Sequence, residues 1–441
     1  MFSAARITQS GARVVPKQLL QVSVRPISTT QQVLASRKTP ADRTTSTAFT
    51  KLSIGSKKLR TGTSTAVNMG SLNPDYYTDK PSPQTEVLSS TTAKEWNIGQ
   101  FLEISGHVLQ SLGKDQFPGY LGKDFKLFGK PALMYREFTQ KLVDQLAKNA
   151  SAAPKTAAVI DGPNGAGKSA ELLKLAAVAA EAGHIVVYVP ATIPWVNSSR
   201  PYAPGADDSF VQHETAMGLL RSIQALSSEA LAKVPLGKAV TLGKKSLAAD
   251  KTLSDLVEFG IQAPSLAHAA LEQMLEIAGA QKAVPVVIAL DEVNTLWSKS
   301  AYTDQADKIL AANRLRLVRA FLPYFEGTKQ LAKGWVVGAT SYIETKFMPK
   351  QLSQKLSPPP QIAFKNKDVE SDPGLYRPET KVPFDVVKLD RMTATEAKAM
   401  MDFYRSVRIV QTPVTDALVA KKWVLANGNP RQIFGSCTAF F

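Results

Sequence analysis

The sequence predicts an α/β fold in which helices flank a parallel sheet and a small C-terminal helical lid closes over it. Three observations predict it. Residues 162–169, Gly-Pro-Asn-Gly-Ala-Gly-Lys-Ser, fill the pattern G-x-x-x-x-G-K-[ST]. An apolar, strand-like run (157–160) precedes them and an Ala/Leu-rich, helix-suited stretch (170–181) follows. A second apolar run, 284–290, ends in Asp291-Glu292, an acid pair at the C-terminal end of a buried strand. Near the end, Asn427-Gly428-Asn429-Pro430-Arg431 reads as a turn opening a short helix. Together these predict a P-loop NTPase core of AAA-like type over residues 131–348 and a helical lid over 391–441.

Each motif residue has a chemical reason to be there. The glycines among Gly162, Pro163, Asn164, Gly165, Ala166 and Gly167 let successive backbone N–H groups turn inward around a phosphate. The helix opening at Ser169 and Ala170 adds its positive end. Lys168 would reach the β- and γ-phosphates, and the Ser169 hydroxyl would ligate Mg²⁺. Asp291 would hold the same ion through water, and Glu292 would polarise an attacking water. Residues 334–341 form another buried strand ending in Thr340-Ser341. A γ-phosphate sensor occupies that position in ATPases with an extra strand between the two motif strands. Thr340 is either that sensor or a strand-end hydroxyl bonded to backbone. Arg431 either points back at the phosphates or contacts an acid at its helix start.

Charge is unevenly spread. Residues 1–74 hold 11 Lys/Arg and one acid, Asp42, which puts +10 of the chain's net +16 in this segment. A basic start rich in Ser and Thr and poor in acids is the composition of a mitochondrial transit peptide. Arg6, Arg13 and Lys17 among Phe2, Ile7, Val14, Leu19 and Leu20 suit a basic amphipathic helix. Part of the segment is expected to persist as a disordered basic arm. The overall positive balance favours an anionic partner such as nucleic acid. Cys437 is the only cysteine, so an internal disulfide framework and a paired-cysteine zinc site are excluded. No apolar run approaches the roughly 18 residues of a spanning helix.

Along the rest of the chain, residues 75–130 read as an N-terminal extension packed on the core, with 75–90 as linker and 106–129 irregular. Apolar spacing of three and four predicts a helix over 131–149. Residues 184–190 predict a strand, 192–209 a surface loop and 210–233 a helix. Residues 234–250 read as an exposed basic loop, in which Lys238, Lys244 and Lys245 are candidate RNA contacts. Helices are expected within 253–279, interrupted at Pro264, and over 304–325. An irregular proline-rich excursion spans 349–390. Lid helices follow over 394–407 and 414–426.

The order of parts is a transit-like start, D-G-P-N-G-A-G-K-S, A-L-D-E-V-N, V-V-G-A-T-S and N-G-N-P-R. It resembles the death-associated protein family of the mitochondrial small ribosomal subunit, over about residues 95–441. The resemblance implies a structural protein of the mitochondrial ribosome, in the matrix, within the head of the small subunit. It also implies contacts with ribosomal RNA and neighbouring ribosomal proteins, and a bridge to the large subunit. The implied ligand is GTP or GDP with Mg²⁺, with ATP as the other candidate. Asn366-Lys367-Asp368 approaches the guanine-reading N-K-x-D signal, but Val369 stands where Asp is needed. Guanine preference therefore rests on the resemblance. Glu292 makes hydrolysis chemically possible, so the alternative is a matrix AAA-like ATPase that remodels DNA or protein.

Overall fold

The computed structural model describes residues 83–438 apart from 90–95, 113–116, 152–155, 206, 350, 351, 353–355 and 357–383. The expectations for the transit segment, the basic arm and the body of the proline-rich excursion, Asn366 to Val369 included, lie outside the described residues.

Five strands form the central sheet: β1 Ala157–Asp161, β2 Ile185–Val189, β3 Val286–Asp291, β4 Gly334–Ala339 and β5 Phe384–Lys388. Their spatial order is β5-β1-β4-β3-β2, and every neighbouring pair is parallel. All residues of β1 to β4 are buried. Helices cover both faces, which is why these strands read as unbroken apolar runs and not as alternations. Val187 and Ile288 join Phe321 in one apolar cluster, while Val186 and Val337 join Leu172 in the other. Strand β4 lies between the strand that leads into the glycine-rich loop and the strand that ends in Asp291. Gly334 makes that placement possible: it sits at φ +122°, and a Cβ there would stand 1.9 Å from the Val286 carbonyl oxygen.

A third cluster joins the two ends of the described chain. The lid helices Ala394–Ser406, Asp416–Leu425 and Pro430–Thr438 pack on Phe101, Phe128 and Met134. Phe101 and Phe403 stack with ring centres 3.7 Å apart. Thr393 opens the first lid helix through a reciprocal box with Glu396, and the Thr415 hydroxyl caps the second. No helix of the described residues is long and apolar enough to cross a membrane.

Several segments differ from the sequence expectation. Within 106–129 lie two helices, Gly106–Leu112 and Gly119–Phe128. Ala132–Met134 is a fully buried strand antiparallel to Phe101–Glu103, so the next helix begins only at Glu137. The presumed surface loop after β2 contains a short helix, Ile193–Val196, that buries Trp195 and Val196. The basic loop is a β-hairpin, Val240–Leu242 with Lys245–Leu247, anchored by buried Val240 and Leu242. Residues 299–311 form a second hairpin, and its helix starts at Arg316. That turn is set by Asp304, whose carboxylate accepts from the N–H groups of Ala306 and Lys308, both at 2.9 Å. The end of the expected irregular excursion is β5, the edge strand beside β1.

Candidate functional site

The carboxyl ends of β1, β3 and β4 meet at one edge of the sheet, the edge where ligands settle in open parallel sheets. The glycine-rich loop leaves β1 there. Gly165 and Gly167 take φ of +81° and +105°, left-handed conformations that glycine adopts without steric cost and that let peptide N–H groups converge on an anion. The loop feeds the 14-residue helix Lys168–Glu181.

Lys168 is buried, and its ammonium donates to the carbonyls of Gly162 at 2.5 Å and Pro163 at 3.1 Å. Burial lowers its pKa, opposed by the charges of Asp161 and Asp291. Burial pushes Asp291 up to about 6, opposed by the nearby Ser169 hydroxyl and by the Glu292 N–H, which donates to Asp291 Oδ1 at 2.8 Å. Glu292 sits at φ +61°, an unusual conformation for a non-glycine residue. Its carboxyl rises to about 7, first from burial and then from the neighbouring Asp291 charge. It accepts a 3.1 Å bond from the Ile193 N–H.

The lid turn docks directly on the loop. Asn429 donates through its amide to the Asn164 carbonyl at 2.7 Å, and the Arg431 N–H donates to the Gly165 carbonyl at 3.2 Å. A Cβ on Gly165 would lie 2.7 Å from both Arg431 Cβ and Asn429 Oδ1. Segments more than 260 residues apart thus share one surface. They enclose a cavity of about 480 Å³ whose wall includes Asn164 to Ala170, Asp291, Glu292, Thr340 and Arg431. Gly162 and Pro163 stand behind that wall, where their carbonyls hold Lys168. The Thr340 hydroxyl is turned to the Asp161 carboxylate, and the Arg431 side chain pairs with Asp124.

Four contributors escaped the sequence reading. Tyr120 lines the cavity beside Ser169. Asp124 holds Arg431, and Tyr342 places its ring 5.6 Å from the Lys168 ammonium. Arg136 is buried at the start of the helix Glu137–Asn149, with its guanidinium donating to the Ala166 carbonyl, the Asp390 carbonyl and both oxygens of Glu396. It ties loop, sheet edge and lid together. The partners of Arg136 lie 30 to 260 residues away in the chain, so nothing local in the sequence pointed to it.

These features define a mixed α/β protein with a helix-flanked, five-stranded parallel sheet and a lysine-bearing, acid-lined cavity at its carboxyl edge. A family model described as mitochondrial ribosomal death-associated protein 3 matches residues 133–436, and the chain belongs to that family. Curated relatives agree. Small ribosomal subunit protein mS29 of Neurospora crassa is 22% identical over 361 residues, covering 78% of this chain and 76% of the relative. The protein of the same name from Mus musculus is 23% identical, covering 54% and 63%. That from Bos taurus is 22% identical, covering 59% and 67%.

Proposed function

We propose that the chain, a ribosomal protein of the mitochondrial matrix, serves as a structural component of the small ribosomal subunit and holds a guanine nucleotide with Mg²⁺ at its glycine-rich loop. The observation that carries this reading is the convergence of Lys168, Ser169 and Asp291 on one cavity, in a member of a mitochondrial ribosomal family. A phosphate would match the buried Lys168 ammonium, and it suits a loop with left-handed glycines at a helix N-terminus. Asp291 and Ser169 would hold the Mg²⁺, which when bound neutralises phosphate charge. The strand order, with β4 between β1 and β3, supports a P-loop NTPase core of AAA-like type. Bound nucleotide would stabilise the fold by RT ln(1 + [L]/Kd), roughly 2.7 kcal/mol at a hundredfold excess over Kd. The basic charge supports contact with ribosomal RNA, and neighbouring ribosomal proteins and a bridge to the large subunit complete the proposal.

Sedimentation of the tagged full-length chain from a mitochondrial lysate through a high-salt gradient tests the ribosomal part. Migration with the small subunit is the expected result, and migration as free protein contradicts it. A second reading, a matrix ATPase that remodels DNA or protein, draws on Glu292, whose elevated pKa near 7 suits a general base. It requires turnover on the order of 1 s⁻¹ or faster, abolished in Lys168→Ala. The structural reading expects little turnover from the purified chain with either GTP or ATP.

A further inference from the structure

The outer wall of the cavity comes from the helix Gly119–Phe128, about which the loop motif says nothing. Tyr120 and Asp124 are four residues apart and share one face of that helix. Both oxygens of Asp124 accept from Arg431 Nη1, at 2.9 and 3.1 Å. The Arg431 guanidinium carbon also lies 5.5 Å from the Tyr120 ring centre and 5.3 Å from that of Phe434, so two aromatic faces favour the same position. The Asp124 side chain is only 15% exposed against 45% for Arg431, which shields the acid end of the pair from solvent. Tyr120 and Ser169 line the same cavity. One helix therefore lines the cavity opposite the loop and grips the lid arginine, while the Arg431 backbone is fixed on Gly165.

We infer that this helix is a retention strap: Asp124 and Tyr120 hold Arg431 across the cavity, and a bound nucleoside diphosphate or triphosphate leaves only when the Asp124–Arg431 pair opens. The inference rests on the reading of the cavity as a mononucleotide site and adds the elements that govern release. The arginine's main attachments in this arrangement are the acid and the two rings, so loss of the acid loosens the lid side of the closure.

The test loads the full-length chain with N-methylanthraniloyl-GDP and Mg²⁺, then chases with excess unlabelled GDP in a stopped-flow instrument. Asp124→Asn should release the label about fivefold to tenfold faster than wild type, as befits a charge-assisted but partly exposed pair. Raising the salt should speed release from the wild-type chain and barely affect Asp124→Asn. The wild-type salt response probes the pair without any substitution. Equal release from the variant, or release insensitive to salt in wild type, overturns the strap. Slower release also overturns it, because Asp124 would then be withholding Arg431 from the phosphates. No binding of the labelled nucleotide to wild type would instead overturn the reading of the site itself.

Discussion

The Thr340 hydroxyl donates a 2.6 Å hydrogen bond to Oδ1 of Asp161, joining the ends of the adjacent parallel strands β4 and β1. Tyr342 donates to the same oxygen at 2.9 Å. Asp161 is buried directly before the glycine-rich loop, so these hydroxyls secure the point from which the loop departs. Thr340→Val deletes a charge-assisted bond at a buried acid and should lower stability by about 1.5–3 kcal/mol in urea denaturation. Unchanged stability would show that the bond does not anchor the strand ends.

Arg136 and Glu396 are buried at 5% and 3% exposure. Removing one partner strands the other charge, so Arg136→Met should destabilise the chain by about 3–5 kcal/mol. The double change Arg136→Met with Glu396→Leu should recover a large part of that loss. Chemical denaturation of the two variants checks the expectation. Hydrogen exchange should also show faster opening of the first lid helix, Ala394–Ser406, in the single variant.

Stability should fall as pH rises through the neutral range. Burial holds Asp291 at about 6, and burial with Asp291 repulsion holds Glu292 at about 7. Unfolded carboxyl groups titrate near 4. Between those values the folded chain binds more protons than the unfolded one, so this contribution is complete below about pH 4 and is lost as pH climbs through about 7. Glu292→Gln should flatten the dependence of Tm on pH between about pH 5 and 7.5, and raise Tm at the upper end. A variant that keeps the wild-type slope would remove Glu292 as its source.

Gly334→Ala places a methyl group against the Val286 backbone at the start of the β4–β3 pairing. Strand separation or a shift of register is the only relief, with an expected cost of about 3 kcal/mol or more. Thermal denaturation measures it. A neutral result would contradict the strand order.

The loop, its helix and strands β1 to β4 were legible because each is a continuous signal within about 30 residues: an apolar run, a glycine pattern, a helix-forming stretch. Strand β5 was not. Its Phe-Asp-Val-Val-Lys stretch is largely exposed on an edge and follows a proline-rich region, so composition pointed to loop. Ala132–Met134 fits the helical spacing of the residues after it, and only pairing with Phe101–Glu103 makes it a strand. The motif residues of the candidate site were readable from local chemistry. Tyr120, Asp124, Arg136 and Tyr342 act through partners from distant parts of the chain, and a single sequence carries no trace of such pairings.

Titration calorimetry of the full-length chain with Mg²⁺ and GDP, GTP or ATP, for wild type and Lys168→Ala, tests the central claim most directly. The account predicts one nucleotide per wild-type chain, a guanine preference in competition, and loss of that binding in Lys168→Ala. Failure of the wild-type chain to bind any of the three, or undiminished binding by Lys168→Ala, would contradict it.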